Sequence, residues 1–176
     1  MPSRLTRLHA SGQSHFITFC SWHRRKVLSD PASKSTFEAG LERVRCDLQL
    51  RVYGYVVMPE HVHILLSEPN RATLADAIKS LKQGVSRRLI GDSPHFWQKR
   101  YYDFNVRNHE QFVEKLRYIH RNPVRNGLCV RPEDWQWSSF RHYATGWEGV
   151  VEIESEWTAA KREGAAGLSL TQEKEA

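Results

Sequence analysis

Two histidines separated by one residue, His61 and His63, lie in a stretch that alternates between the two faces of an extended chain. That period of two predicts a β-strand on which both imidazoles project from the same face. Imidazoles on one rigid strand can bind a metal ion together if a third ligand comes from elsewhere in the chain. The alternative is a hydrogen-bonded, chemically inert pair on a half-buried face, because so short a motif matches many unrelated sequences.

A second segment that could do chemistry, residues 114–123, has the pattern of a helix end, with Pro123 as the terminating residue. Tyr118 and Asn122 are four residues apart, so they share one helix face. A phenolic hydroxyl and an amide oxygen could therefore face the imidazole pair together. The alternatives are a tyrosine packed on a sheet and an asparagine whose only role is at the helix terminus.

The distribution of charge favours a polyanionic partner. The chain of 176 residues has 26 Lys and Arg against 20 Asp and Glu, a formal net charge of +6. Residues 148–176 contain seven acidic and three basic residues, which leaves a net charge of +10 on residues 1–147. A basic body of this kind suits nucleic acid. We expect one domain at 1–147, followed by an acidic, partly disordered C-terminal tail at 148–176.

Cysteine usage and hydropathy bear on the compartment. Cys20, Cys46 and Cys129 are odd in number and form no Cys-x-x-Cys motif, so we expect reduced thiols in a cytoplasmic, nucleoid-associated protein. No apolar run follows the basic N-terminus, which predicts that there is no secretory signal. No stretch is apolar enough for a membrane span, so no membrane partner is expected.

Hydrophobic periodicity and turn residues predict the element order strand, helix, strand, strand, helix, strand, helix. The predicted strands are 15–20, 51–58, 61–66 and 102–107, and the predicted helices are 31–50, 74–90 and 109–121. Helix starts are marked by Asp30 before Pro31, by Thr73 with Asp76, and by Asn108. The turn at 59–60 predicts that the two strands flanking it pair antiparallel. Together these features predict an α+β fold, an antiparallel sheet with helices packed on one face.

Four segments in a fixed order resemble a known family: 58–63 (MPEHVH), 97–103 (WQKRYYD), 118–127 (YIHRNPVRNG) and 135–139 (WQWSS). They are similar to the REP-associated tyrosine transposases, which are HUH single-strand nucleases grouped with the single-tyrosine insertion-sequence transposases. The resemblance covers about residues 13–143, and the combination is far more specific than the histidine pair alone. It implies a ferredoxin-like HUH core and a single-stranded or hairpin DNA substrate of the repeated extragenic palindrome type.

The resemblance also implies roles for individual residues. His61 and His63 match the HUH metal ligands, and Tyr118 matches the single nucleophilic tyrosine. Asn122 lies where the family has its third ligand, although insertion-sequence relatives more often have the longer Gln there. Two imidazoles and an amide oxygen without thiolate suit Mg²⁺ or Mn²⁺, which would polarise a phosphate. Attack by tyrosine would leave a 5′-phosphotyrosine and a free 3′-hydroxyl, which permits strand transfer without ATP.

Cations close to aromatic residues are the candidates for DNA binding, because cations neutralise phosphates and rings stack on unpaired bases. The candidates are Arg24, Arg25, Lys99, Arg100, Arg121 and Arg125. For each of them the alternative is a solvated surface charge. The aromatic residues of 131–147 are expected to cover the core more than to stack on bases.

Other functions are compatible with the same composition. One is a non-catalytic DNA-binding protein or repressor that recognises hairpin repeats. A replication initiator of the HUH class ranks lower, because the chain has no Gly-x-x-x-x-Gly-Lys loop. RNA is a further candidate substrate on charge alone, and the protein is expected to be a monomer or a homodimer. The carboxylates of the tail are expected either to compete with phosphates in a basic groove or to be solvated.

Overall fold

Four antiparallel strands form one sheet in the computed structural model, which describes residues 13–91 and 94–167. The strands are β1 (Ser14–Cys20), β2 (Val52–Val57), β3 (His61–Ser67) and β4 (Tyr102–Val106), in the order β2-β3-β1-β4. The helices are α1 (Pro31–Leu48), α2 (Leu74–Ile90), α3 (His109–Arg125), α4 (Phe140–Thr145) and α5 (Glu156–Ala165). Short 3-10 helices lie at Trp22–Arg24 and Pro132–Asp134. The predicted α+β class and its ferredoxin-like order are confirmed.

Each of the three predicted helix starts is confirmed by a side-chain cap. Asp30 accepts a hydrogen bond from the backbone N–H of Ser33 at 2.8 Å, with Pro31 as the first helical residue. Thr73 and Asp76 form a reciprocal capping box at the start of α2. Asn108 caps α3 in the same way as Asp30 caps α1. These local bonds satisfy the first free N–H groups of each helix, which is why the sequence predicted the starts well.

Helices cover both faces of the sheet, so the prediction of helices on one face is wrong. Ile17, Val62 and Ile64 form a core with α1 and α2. Phe16 and Leu65 point to the opposite side and form a second core with α3. The physical reason is that β3 has apolar side chains on both faces, and six of its seven residues are buried. Helices must therefore pack against both faces of the sheet.

Gly54 of β2 allows α3 to lie close to the sheet. A Cβ atom at this position would come within 2.5 Å of Leu116 Cδ1, closer than packed carbon atoms tolerate. On the same interface, His120 Nε2 lies 2.8 Å from Ser139 Oγ, which also accepts the backbone N–H of Tyr55. The absent side chain and this buried hydrogen bond fix the distance between α3 and the strands.

Helix α3 continues through Pro123, although the sequence predicted that it would end near Arg121. Proline lacks the N–H that would bond to the carbonyl four residues earlier and its ring crowds that carbonyl, and the packing of α3 against the sheet offsets both costs. The turn is closed by Asn126, whose backbone N–H donates to the carbonyl of Asn122 at 3.0 Å. Gly127 then takes a positive φ of 69°, a conformation that suits glycine after a helix end. Asn122 therefore lies inside the helix rather than after it.

The aromatic segment after α3 covers the free edge of β2. Ser138 forms an antiparallel bridge with Val56, and the backbone N–H of Val57 donates to the carbonyl of Trp137 at 3.0 Å. The indoles of Trp135 and Trp137 pack against the two cores. These contacts agree with the expectation that the aromatic residues cover the core.

The packed core continues past residue 147, where the sequence predicted that the folded domain would end. Val151 and Ile153 are 2% and 3% exposed, and Ile153 forms a parallel bridge with Val52. The remainder of the tail, residues 168–176, for which disorder was expected, lies outside the described residues. Thus residues 148–167 include part of the folded body.

The tail carboxylates form ion pairs with cations of α1 and α5. Glu152 pairs with Arg45 of α1 at 3.7 Å, Glu154 pairs with Arg162 of α5 at 2.8 Å, and Glu148 pairs with Lys161. These ion pairs do not test the hypothesis that the tail carboxylates compete with phosphates in a basic groove, which stays a prediction.

Two expectations about the whole chain concern cysteine and membranes. Cys20, Cys46 and Cys129 are all free thiols. Within residues 13–91 and 94–167, no helix combines the length and the apolar character needed to cross a bilayer.

Candidate active site

The four residues singled out for chemistry meet between β3 and α3. His61 and His63 project from β3 toward α3, with ring centroids 4.7 Å apart. The ring of Tyr118 lies 5.2 Å from the ring of His63, edge to face. Asn122, one turn further along α3, brings Oδ1 to 3.3 Å from His61 Nε2. Residues from two separate segments of the chain thus form one cluster.

The His61 ring has a defined orientation and a defined proton position. Its Nδ1 lies 2.8 Å from Glu60 Oε1, and because a carboxylate oxygen accepts, Nδ1 carries the hydrogen. The lone pair of Nε2 then faces Asn122 Oδ1, which already accepts a hydrogen bond from Asn126 Nδ2 at 3.1 Å. While the His61 ring is neutral, two electron-rich atoms therefore face each other across 3.3 Å. A cation beside them would turn this repulsion into attraction.

His63 provides a buried imidazole nitrogen for the same centre. Its Nδ1 lies 2.6 Å from Thr18 Oγ1, and among the described residues its buried Nε2 has no hydrogen-bond partner. Burial, together with the positive charges of His61, when protonated, and Arg24, lowers the pKa of His63 to about 3. The ring is therefore neutral near pH 7, as a metal-binding imidazole must be.

The donor atoms fit a divalent cation that accepts nitrogen and oxygen ligands. No group of three or more His, Cys, Asp or Glu side chains that could hold a metal occurs in the described part of the chain. A three-ligand site here therefore depends on the amide oxygen of Asn122 beside the two imidazoles. The unpaired Nε2 of His63 and the facing acceptors of His61 and Asn122 are the observations that favour such a site.

Tyr118 is held by ring contacts while its side chain remains accessible. Phe16 meets it edge to face at 5.9 Å, and the guanidinium of Arg125 lies 5.7 Å from its ring centroid. The residue is 37% exposed, so its hydroxyl can meet a substrate from the solvent side. The geometry therefore combines a fixed ring with a side chain that solvent can reach.

Two of the predicted DNA-binding cations lie on the exposed face of α3. Arg121 and Arg125 line a cleft of about 710 Å³ together with Tyr118 and Arg117. Arg117 was not predicted from the sequence, although its spacing of four residues from Arg121 was a usable signal. The three arginines follow the helix past the tyrosine and could contact successive phosphates.

The other four predicted cations lie elsewhere. Arg24 Nη2 is 3.5 Å from Glu60 Oε1, at the rim of the histidine cluster. Arg25 donates to the carbonyl of His95 at 3.0 Å and ties two loops together. Lys99 and Arg100 are exposed in the segment before β4 and do not line the cleft along α3.

Three residues that orient the cluster also escaped the sequence analysis: Thr18, Glu60 and Asn126. Glu60 precedes His61 directly, and Asn126 is one helical turn after Asn122, so their spacing offered a signal. Thr18 lies directly opposite His63 in the β1–β3 register, which no local pattern reveals.

Comparisons with known proteins identify the family of this chain. The family model described as "Transposase IS200 like" matches residues 10–122. The REP-associated tyrosine transposase of Escherichia coli K12 is 25% identical over 157 residues, which cover 85% of this chain and 93% of that protein. A protein of Haemophilus influenzae, provisionally assigned to the same group, is 29% identical over 171 residues. The match covers 86% of this chain and 96% of that protein.

A solved structure supports the fold. It is a REP-associated tyrosine transposase bound to a REP hairpin, and it superposes with a TM-score of 0.71 at 22% identity. The match covers 87% of this chain and 92% of that one. Since the family model spans well over half of the 176 residues, the chain belongs to the IS200-like transposases and is an enzyme of the transposase type.

Proposed function

We propose that this transposase cleaves and rejoins single-stranded DNA next to a hairpin, with Tyr118 as the nucleophile. In this proposal His61, His63 and Asn122 hold a divalent ion, Mg²⁺ or Mn²⁺. The observation that carries it is the convergence of His61 Nε2, Asn122 Oδ1 and the unpaired His63 Nε2 beside the Tyr118 ring. A non-catalytic DNA-binding protein has no need for this arrangement, because unsatisfied buried nitrogen atoms cost stability.

The proposed ligands supply nitrogen and oxygen but no thiolate, which suits Mg²⁺ or Mn²⁺. When bound, such an ion would neutralise negative charge on the scissile phosphate and polarise its oxygens. The chain's own residues prepare the site: Glu60 fixes the ring of His61, and Thr18 fixes that of His63. These hydrogen bonds leave the Nε2 atoms as the free ligand atoms.

Tyr118 Oη attacks the scissile phosphorus, a new bond forms between that oxygen and phosphorus, and the bond from phosphorus to the 3′-oxygen breaks. The phenolic proton leaves to solvent on the open side of the ring, and the departing 3′-oxygen takes up a proton. The products are a 5′-phosphotyrosine and a 3′-hydroxyl. A second 3′-hydroxyl can reverse the step, so the strands rejoin without ATP.

The substrate class is inferred from charge and from the relatives. Arg117, Arg121 and Arg125 line the cleft that contains the tyrosine, so a DNA strand along α3 would place its backbone against them. The similar solved structure holds a REP hairpin, and two relatives are assigned to the REP-associated group. We therefore infer that the preferred substrate is a DNA hairpin with a single-stranded flank.

The test is an adduct assay with the full chain. A labelled hairpin with a single-stranded flank is incubated with Mg²⁺ or Mn²⁺, and the reaction is resolved on a denaturing gel. A labelled band that migrates with the protein is expected, together with a released 3′-hydroxyl fragment. Absence of adduct with tight hairpin binding would support the repressor alternative, and adduct only with an RNA hairpin would change the substrate class.

A further inference from the structure

The amide of Asn122 has two possible orientations, and only one of them exposes a ligand atom. In the observed orientation, Oδ1 faces His61 Nε2 at 3.3 Å. If the amide were flipped, its N–H group would instead donate to the Nε2 lone pair. That hydrogen bond would occupy both His61 and Asn122, so neither could bind a cation. A free asparagine beside a neutral imidazole would favour the flipped form.

Asn126 opposes this flip. Its Nδ2 donates to Asn122 Oδ1 at 3.1 Å, and in the flipped form two N–H groups would face each other at that place. The Asn126 side chain is itself fixed, because Nδ2 also donates to the backbone carbonyl of Asn122 at 2.8 Å. Its backbone N–H donates to the same carbonyl at 3.0 Å, which places the side chain one turn above Asn122.

We propose that Asn126 is a positioning residue for the metal site, which holds the amide oxygen of Asn122 toward the two imidazoles. The inference rests on the proposed function, because it concerns the third ligand of that same site. Asn126 contacts neither histidine nor the tyrosine in the described contacts, and it acts through Asn122 alone. Its role is to select the orientation of the Asn122 amide.

The experiment measures Mn²⁺ affinity of the full chain without DNA, by isothermal titration calorimetry. Asn126→Ala should weaken Mn²⁺ binding by about 10-fold, the lower end of the usual effect of removing the partner that orients a ligand and no more than the loss of Asn122 itself. Asn126 is exposed, so its truncation leaves no core cavity. Cleavage of the hairpin should need correspondingly more Mn²⁺ while reaching a rate near that of the original chain at saturation.

Asn108→Ala is the matched control. Asn108 caps the other end of α3 and accepts the backbone N–H of Gln111 at 2.8 Å, so its truncation also weakens a helix end. If Asn126 merely stabilised α3, the two variants would lose Mn²⁺ affinity equally. The proposal expects the loss in Asn126→Ala only, and equal losses would overturn it.

A double substitution separates this inference from the proposed function. In an Asn122→Ala background, Asn126→Ala should change Mn²⁺ affinity no further, because the residue acts through the missing amide. A further loss of similar size would show that Asn126 acts by another route. The inference about Asn126 alone is wrong if the original chain binds Mn²⁺, Asn122→Ala lowers its Mn²⁺ affinity and Asn126→Ala leaves that affinity unchanged. If the original chain does not bind Mn²⁺, the proposed metal site itself is wrong.

Discussion

The rings of His63 and Tyr118 meet edge to face with their centroids 5.2 Å apart, and both rings contact Phe16. Phe16 stacks on His63 at 5.4 Å and meets Tyr118 at 5.9 Å. A strand residue thus fixes the proposed nucleophile relative to a proposed metal ligand. Aromatic packing of this kind holds ring positions without using the polar atoms, which remain free for substrate and metal.

Tyr118→Phe should abolish the covalent adduct and lower cleavage by on the order of 1000-fold or more, because it removes only the attacking oxygen. The ring contacts remain, so hairpin affinity should change little. Tyr102→Phe is a matched control, since Tyr102 also meets Phe16 edge to face, at 6.3 Å. The gel assay described above provides the measurement, and adduct at an undiminished rate in Tyr118→Phe would assign the nucleophile to another residue.

His61→Ala and His63→Ala should each lower Mn²⁺-dependent cleavage by on the order of 100-fold, because each removes one of three protein ligands. Asn122→Ala should lower Mn²⁺-dependent cleavage by only about 10-fold, since an amide oxygen is the weaker ligand. The measurement is a Mn²⁺ titration of the cleavage rate. His95→Ala, at an exposed histidine outside the cluster, serves as the control. The proposed metal site would be contradicted if the dependence of the cleavage rate on Mn²⁺ were the same in His61→Ala and His63→Ala as in the original chain.

Arg117→Ala and Arg121→Ala should weaken hairpin binding and reduce its salt dependence. Each phosphate contact that is lost should lower the slope of log affinity against log salt by about 1. Arg131→Ala is the control, because Arg131 is 65% exposed and pairs with Glu133 and Asp134 outside the cleft. Fluorescence anisotropy at several salt concentrations provides the slopes. An unchanged slope in both cleft variants would show that DNA does not follow α3.

Ile153→Ala should destabilise the protein by about 2–5 kcal/mol, because it leaves a cavity between the docked tail and the core. Val150→Ala, three residues earlier and 54% exposed, should change the unfolding free energy by less than about 0.5 kcal/mol. Urea unfolding of both variants gives the comparison. Equal and small effects would mean that residues 150–153 are not part of the folded body in solution.

His120→Gln should make the protein less sensitive to acid. Burial lowers the pKa of His120 to about 4, below the 6.5 of an exposed histidine, so the unfolded chain takes up the proton first as pH falls. As the pH falls from 6.5 to 4, this residue therefore lowers the free energy of unfolding by about 3 kcal/mol in total. Above pH 6.5 it has no such effect.

The check is the unfolding free energy of both proteins at pH 8 and at pH 4.5. His120→Gln itself costs stability at pH 8, through its altered contact with Ser139, so only the difference between the two pH values is compared. The variant should lose less on acidification than the original chain. Parallel pH curves would mean that His120 is already solvated in the folded state.

Local features of the sequence were sufficient for the elements and for part of the site. Caps such as Asp30 and Thr73 act within four residues, and the alternation around His61 and His63 is a property of one strand. The end of α3 was predicted wrongly because packing against the sheet outweighs the lost backbone bond and the ring clash of Pro123, a cost on the order of 3 kcal/mol.

The sequence by itself determined that two imidazoles share a strand face and that Tyr118 and Asn122 share a helix face, since both follow from the repeat of a single element. Only the tertiary structure decided that α3 lies over the histidine face, with Asn122 Oδ1 at 3.3 Å from His61 Nε2. It also decided that Val151 and Ile153 belong to the core. These outcomes depend on contacts between residues far apart in the chain, which are set by the burial of both sheet faces together rather than by any local pattern.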